Sequence, residues 1–167
     1  MIRPCVAVVG PGEEAPPDAI RDAEDVARRI ARSGWVTLCG GRAVGVMAAA
    51  ARGASAEKGL VIGLLPGTDT SDAAPALTVA IPTGLGEARN AVLVGSAQAV
   101  VACGINAGTA SEIALALKAR KPVALLRPTP ETAAFFTSLP GDGLIHVATD
   151  AEGVVSWLAT TIGRTSQ

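Results

Sequence analysis

Short apolar runs rich in valine, isoleucine and leucine alternate along this chain with longer amphipathic segments. Such alternation is typical of repeated βα units, which build a parallel sheet. The apolar runs are continuous, so we expect strands that are covered on both faces. They predict strands at residues 5–9, 36–39, 60–65, 77–81, 99–103, 123–126 and 144–147.

The amphipathic segments between these runs predict the helices. The first follows Pro16 and Pro17 and places Ala23, Val26 and Ile30 on one stripe. Helices are predicted at residues 18–32, 45–56, 86–96, 108–119 and 152–162, with one short helix within residues 128–143. The fold class is therefore α/β, with residues 1–167 forming one Rossmann-like domain. We expect a doubly wound, mainly parallel sheet of about seven strands with helices on both faces.

The charge balance argues against polymeric partners. The chain has 14 basic and 15 acidic residues, so its net charge of -1 provides no field that would attract a nucleic-acid polymer or an anionic membrane. No apolar segment approaches the roughly 20 residues of a membrane helix, and the apolar stretch at the N-terminus is too short for a signal peptide. We predict a cytoplasmic protein that binds any anion locally.

The residue types that hold metals are few and scattered. Cys5, Cys39 and Cys103 each lie on an apolar run without a Cys-x-x-Cys pair, which predicts reduced thiols packed as small hydrophobic side chains. His146 has no companion at ligand spacing, so we interpret it as a structural histidine. The sequence predicts no metal site.

Glycine-rich loops at one edge of the sheet are the strongest indication of function. In an open parallel sheet, ligands bind beyond the carboxyl ends of the strands, where helix N-termini converge. Glycine lets the backbone approach a phosphate there, although tight turns alone also explain it. No P-loop and no strict Gly-x-Gly-x-x-Gly is present. The glycines of these loops are Gly10, Gly12, Gly40, Gly41, Gly45, Gly84, Gly86, Gly104 and Gly108.

Two charged residues accompany these loops, and each has two interpretations. Arg89 is the only basic residue between Lys58 and Lys118, and it follows the loop that contains Gly86. It either binds a phosphate or carboxylate, or pairs with a carboxylate such as Glu87 on the helix surface. Glu112 either closes a capping box in which Thr109 caps the helix, or faces the ligand as an acceptor or acid.

Three segments, taken in order, resemble the LOG-like (SLOG) superfamily, formerly labelled "lysine decarboxylase-like". They are Gly-Gly-Arg-Ala-Val-Gly-Val-Met at 40–47, Gly-Leu-Gly-Glu-Ala-Arg-Asn at 84–90 and Gly-Thr-Ala-Ser-Glu-Ile-Ala-Leu-Ala-Leu at 108–117. The short length and the Gly-Glu-Ala-Arg-Asn stretch are most similar to the molybdenum-cofactor carrier branch. The resemblance implies a Rossmann-like homo-oligomer, a dimer or tetramer.

The two branches imply different uses of the same loops. The resemblance to the cytokinin-activating phosphoribohydrolases implies that Arg89 and Glu112 take part in cleaving the N-glycosidic bond of a nucleoside 5'-monophosphate. It also implies that Gly108 and Thr109 bind the phosphate of that substrate. In the carrier branch, the loops hold the phosphate and pterin of molybdenum cofactor as bound cargo, and the protein itself requires no cofactor. The ligand residues so implied, besides the eight loop glycines other than Gly104, are Met47, Arg89, Asn90, Asn106, Thr109 and Glu112.

Two departures from the hydrolase pattern favour binding over catalysis. The hydrolase loop Pro-Gly-Gly-x-Gly-Thr-x-x-Glu is replaced at 104–112 by Gly-Ile-Asn-Ala-Gly-Thr-Ala-Ser-Glu, and Asn90 stands where the hydrolases have lysine. Asn106 tolerates a left-handed conformation, whereas the β-branched Ile105 resists one. The leading hypothesis is a carrier of a phosphorylated pterin or nucleotide-like ligand. A phosphoribohydrolase and a non-catalytic oligomeric interaction subunit are the alternatives.

Overall fold

The structure, a computed structural model, describes residues 2–141 and 143–165, with side chains through Ile162. The helices are α1 (Pro17–Arg32), α2 (Gly45–Ala56), α3 (Arg89–Ser96), α4 (Ala107–Lys118), α5 (Pro130–Thr137) and α6 (Ala151–Thr165). The strands are β1 (Cys5–Val9), β2 (Val36–Cys39), β3 (Val61–Leu65), β4 (Val79–Pro82), β5 (Ala99–Cys103), β6 (Val123–Leu126) and β7 (Ile145–Ala148).

All of these strands are parallel, in the order β4-β3-β2-β1-β5-β6-β7. The direction of winding changes between β1 and β5, which lie side by side at the centre of the sheet. A crevice therefore opens at their carboxyl ends, as the doubly wound topology requires. The predicted α/β Rossmann-like class is confirmed.

Two apolar clusters cover the two faces of the sheet. One contains Val6 and Val8 of β1 with side chains of α1, α2 and α6. The other contains Ala7 and Val9 of β1 with side chains of α3, α4 and α5. Because adjacent residues of a strand point to opposite faces, the continuous apolar run of β1 supplies both clusters.

The predicted elements differ from the structure mainly at the β4 edge. The strand predicted at 77–81 is found at Val79–Pro82, at the edge of the sheet, and most of it is exposed. Coverage on both faces is thus wrong for this strand. The helix predicted at 86–96 is divided into a 3-10 turn at Gly86–Ala88 and α3. Helix α5 lies within the predicted 128–143, of which residue 142 is outside the described residues.

The described helices also bear on the membrane prediction. None of them combines the length and the apolar character that a membrane crossing needs. Helix α1 illustrates why, since its exposed face is strongly charged and Arg28 and Arg29 pair with Glu24 and Asp25 one turn earlier.

Candidate ligand-binding pocket

A pocket of about 150 Å³ lies at the carboxyl ends of β1, β2 and β5, beside the point where the winding direction changes. It is the place where the topology predicts a ligand. The structure brings most of the predicted ligand residues together here: Gly10, Gly12, Gly40, Met47, Arg89, Asn90, Asn106, Gly108, Thr109 and Glu112 all line it.

Four of the glycines predicted to bind the ligand lie outside the pocket lining, and they instead allow the backbone to turn. Gly41 (φ 80°) and Gly45 (φ 49°) adopt positive φ, and a Cβ at Gly45 would collide with the carbonyl oxygen of Gly12. Gly84 (φ 66°) and Gly86 (φ 55°) are exposed in the loop before α3. Their occurrence follows from turn geometry, since left-handed conformations favour glycine.

The N-terminus of α4 is capped by Asn106. Its Oδ1 accepts hydrogen bonds from the backbone N–H of Thr109 (2.8 Å) and from the Thr109 hydroxyl (2.9 Å). The interpretation of Thr109 as the cap with Glu112 as its capping-box partner is therefore wrong. The cap lies three residues before Thr109, and the helix begins at Ala107, one residue before the predicted start at 108.

This cap changes what the loop offers to a ligand. Asn106 is extended (φ -150°), so it does not use the left-handed conformation that its side chain tolerates. Within the described part of the chain, the backbone N–H groups of Ala107 and Gly108 donate to no acceptor. Two free amides at the positive end of a helix dipole are suited to an oxyanion.

Arg89 is buried in the pocket and forms no ion pair with any described residue. Its side chain is 7% exposed, and Nε has no hydrogen-bond partner. The predicted alternative, a surface pair with Glu87, is therefore wrong. A Cβ at Gly40 would collide with Nη1 of Arg89 and with Sδ of Met47, so glycine at position 40 provides the space for the guanidinium.

Glu112 faces the same pocket from α4. The residue is 7% exposed, and burial raises the pKa of its carboxyl group from 4.5 to about 7. The positive charge of Arg89 opposes this rise in pKa, and the negative charge of Glu87 adds to it. A carboxyl group with a pKa near 7 holds and releases a proton under neutral conditions.

Asn90 is the third buried polar residue of the pocket. It is 6% exposed, and its Oδ1 has no hydrogen-bond partner in the structure. It follows Arg89 directly on the first turn of α3, so the two side chains place a donor group and an acceptor group next to each other. Buried polar atoms are normally hydrogen-bonded, so this unpartnered oxygen makes Asn90 a candidate ligand residue.

Three charged residues of the pocket were missed by the sequence analysis. Arg42 donates from Nη2 to Oε1 of Glu13 at 2.6 Å, joining the loops that follow β2 and β1. Glu87 lines the pocket from the 3-10 turn. Glu13, Arg42 and Glu87 each follow a predicted loop glycine directly. That these three side chains meet in one pocket depends on the order of the strands.

A second cavity of about 190 Å³ lies on the other side of Gly104. Ile105 lines this cavity and not the ligand pocket. Arg127, the arginine that lines this cavity, already binds both carboxylate oxygens of Asp22, at 2.6 and 3.0 Å. The smaller pocket is the better ligand site because its buried polar groups are unpaired.

The predicted structural residues have contacts of their own. His146 stacks on Trp157 with ring centroids 4.9 Å apart. Cys39 and Cys103 are buried free thiols, and burial raises the pKa of Cys39 to about 11. No three metal-binding side chains converge within the described residues.

Comparisons with known proteins identify the family of this chain. The model of the SLOG cluster4 family matches residues 3–155. A molybdenum cofactor binding protein from the phototrophic bacterium Rippkaea orientalis superposes with a TM-score of 0.92 at 41% identity, covering 97% of this chain and 99% of that one. The molybdenum cofactor carrier protein of Chlamydomonas reinhardtii gives 0.91 at 42% identity, with coverage of 97% and 99%. An uncharacterized protein of Archaeoglobus fulgidus is 41% identical over 74% of this chain and 80% of its own.

Proposed function

The chain belongs to the SLOG cluster4 family, and from this premise we propose that it binds and carries molybdenum cofactor in the pocket between α3 and α4. Two structural neighbours that cover almost the whole chain are described by name as a molybdenum cofactor binding protein and a molybdenum cofactor carrier protein. In the proposed complex, the cofactor is cargo, and no bond in it is broken.

The observation that carries the proposal is the buried, unpaired guanidinium of Arg89. Burying a charge without a partner is costly, so its presence requires a compensating function. A phosphate group supplies that compensation because it accepts charge-assisted hydrogen bonds from arginine. The free N–H groups of Ala107 and Gly108 at the start of α4, where Gly108 lines the pocket, supply further donors.

The first experiment measures cofactor binding directly. Molybdenum cofactor released from a denatured molybdoenzyme is added to the purified protein, and bound molybdenum is quantified after rapid gel filtration. The proposal predicts retention by the native protein and loss of retention in Arg89→Met. Arg21→Met is the matched control, since Arg21 is exposed on α1 and does not line the pocket.

A second candidate function rests on Glu112. A buried carboxyl group with a pKa of about 7 beside an arginine is suited to general acid catalysis, and phosphoribohydrolysis of a nucleoside 5'-monophosphate uses such a group. The protein is incubated with AMP and an N6-substituted analogue, and free base is measured. Base release that Glu112→Ala abolishes would replace the carrier proposal with the hydrolase.

Two further parts of the proposal concern the assembly and the compartment. Val79, Ile81, Leu85 and Val92 are exposed apolar residues at the β4 and α3 edge, which favours a homo-oligomer. Light scattering with size-exclusion chromatography measures its mass. The free thiols favour a reducing compartment, so we place the carrier in the cytoplasm.

A further inference from the structure

The pocket presents hydrogen-bond acceptors as well as donors. Arg89 and the free amides of α4 donate, whereas the side chains of Asn90 and Glu112 supply acceptor oxygens. A phosphate group consists of acceptor oxygens and is satisfied by the donors alone. The acceptors therefore indicate a second part of the ligand, one that carries N–H or O–H groups.

Asn90 gives the clearest sign of this second part. The side chain is more than nine-tenths buried, it lines the pocket, and its Oδ1 lacks a partner. Leaving a buried acceptor unpaired is costly, so a donor that a ligand brings to this side of the pocket would offset the cost. The neighbouring Arg89 Nε is likewise unpartnered.

When it is ionised, Glu112 provides two more acceptor oxygens on the facing helix. No hydrogen bond or salt bridge to a described residue occupies them, although Arg89 lies in the same pocket. Two adjacent N–H groups on one edge of a ring match the two oxygens of a carboxylate, in the way that a guanidinium does. Adjacent donors of this kind occur on a 2-amino-4-oxopyrimidine ring, the ring of pterins.

We propose that Asn90 and Glu112 recognise the 2-amino and ring N–H donors of the ligand's 2-amino-4-oxopyrimidine edge, while Arg89 and the α4 amides hold its anionic group. This assignment rests on the proposed carrier function and extends it to ring selectivity. Asn90 offers a neutral amide with both an acceptor and a donor, which suits a ring edge better than a second phosphate contact.

Pterin and lumazine test the assignment as a matched pair. Lumazine carries an oxygen where pterin carries the 2-amino group, so it offers an acceptor where the pocket also offers acceptors. Pterin fluorescence is titrated with the intact protein, and the same is done for lumazine. The inference predicts that pterin binds about tenfold or more tightly. Equal affinities, tighter binding of lumazine, or no binding of pterin would overturn it.

Variants of Asn90 and Glu112 then test whether these residues cause the preference for pterin over lumazine. Asn90→Leu and Glu112→Gln nearly preserve side-chain volume, and each is expected to reduce the pterin-to-lumazine preference several-fold. Glu131→Gln, an exposed residue of α5, is expected to keep it. A preference that survives in both pocket variants would show that other groups read the ring.

The failure of this inference is distinguishable from failure of the carrier function. Retention of molybdenum cofactor without discrimination between pterin and lumazine rejects the roles of Asn90 and Glu112 and leaves the carrier function standing. Discrimination between the two rings without retention of the cofactor does the reverse.

Discussion

Arg89 and Glu112 lie in the same pocket, each more than nine-tenths buried, and yet they form no salt bridge. They are close enough for the guanidinium to lower the pKa of the carboxyl group, but burial outweighs this effect and raises that pKa to about 7. Opposite charges that are buried together normally pair. Their separation leaves room for a ligand that contacts both.

Replacement of Arg89 is expected to abolish phosphate binding and to raise the stability of the ligand-free protein. Arg89→Met removes a buried unpaired charge and keeps an unbranched side chain of similar reach, so the ligand-free protein should become more stable. A gain of about 1 kcal/mol corresponds to a rise in Tm of about 2–4 °C for a protein of this size. Thermal unfolding with and without phosphate should show the higher Tm and no phosphate-induced shift.

Arg21→Met controls for the loss of a positive charge at the surface. It should leave both the Tm and the phosphate-induced shift close to those of the native protein. A lower Tm in Arg89→Met would mean that the guanidinium stabilises the fold, which contradicts its interpretation as a group held for the ligand.

Glu112 should make the folded state less stable as pH rises. Its pKa in the folded state is about 7, above the ordinary 4.5, so the folded state binds more protons between these values. The stability contribution is complete below about pH 4.5 and is lost as pH rises through 7, with a total of roughly 3 kcal/mol. Glu112→Gln should therefore gain stability relative to the native protein at pH 8 but not at pH 4.5.

Denaturant unfolding at the two pH values measures this difference, with Glu131→Gln as the exposed control. An equal change in the free energy of unfolding at pH 4.5 and pH 8 would show that the carboxyl group titrates normally.

Gly40 is predicted to matter for binding more than for folding. A Cβ at this position meets the mobile ends of Arg89 and Met47, which can shift, and the backbone conformation suits alanine. Gly40→Ala should thus cost little stability but displace the guanidinium and weaken cofactor retention. Gly95→Ala is the contrasting change, because a Cβ there meets nothing within 4 Å. It should stabilise α3 by about 0.5–1 kcal/mol and leave cofactor retention intact.

Two substitutions of Asn106, the cap of α4, should distinguish the stability of the helix from its binding of an anion. Asn106→Ala removes the acceptor for the Thr109 N–H and should cost about 1 kcal/mol. Asn106→Asp keeps that acceptor, so the helix should remain stable, but its negative charge should weaken phosphate binding. Both effects are read from Tm values measured with and without phosphate. Equal phosphate-induced shifts in Asn106→Asp and the native protein would place the anion elsewhere.

The sequence predicted the centre of the sheet better than its edge. The strands at 5–9 and 99–103 have the predicted bounds because central parallel strands are continuously apolar. Strand β4 is shifted because edge strands have fewer neighbours and a weaker pattern. The cap of α4 was placed one turn late, since Asn106 and Thr109 are both good cap residues and the turn at Gly104 selects between them.

The loops that form the candidate site could be predicted from the sequence, but the pairing of its charged side chains could not. Glycine-bearing loops at the carboxyl ends of β1, β2 and β5 converge in any doubly wound sheet. The position of Arg89 depends on Gly40 in the loop after β2 and on Met47 of α2, and no local pattern reveals these contacts. The same holds for the pairing of Arg42 with Glu13.

The most direct test of the carrier function compares molybdenum retention by the native protein, Arg89→Met and Arg21→Met after incubation with released molybdenum cofactor. We expect a stoichiometric amount of molybdenum per chain in the native protein and in Arg21→Met, and little in Arg89→Met. No retention by the native protein, or equal retention by all three, would contradict it.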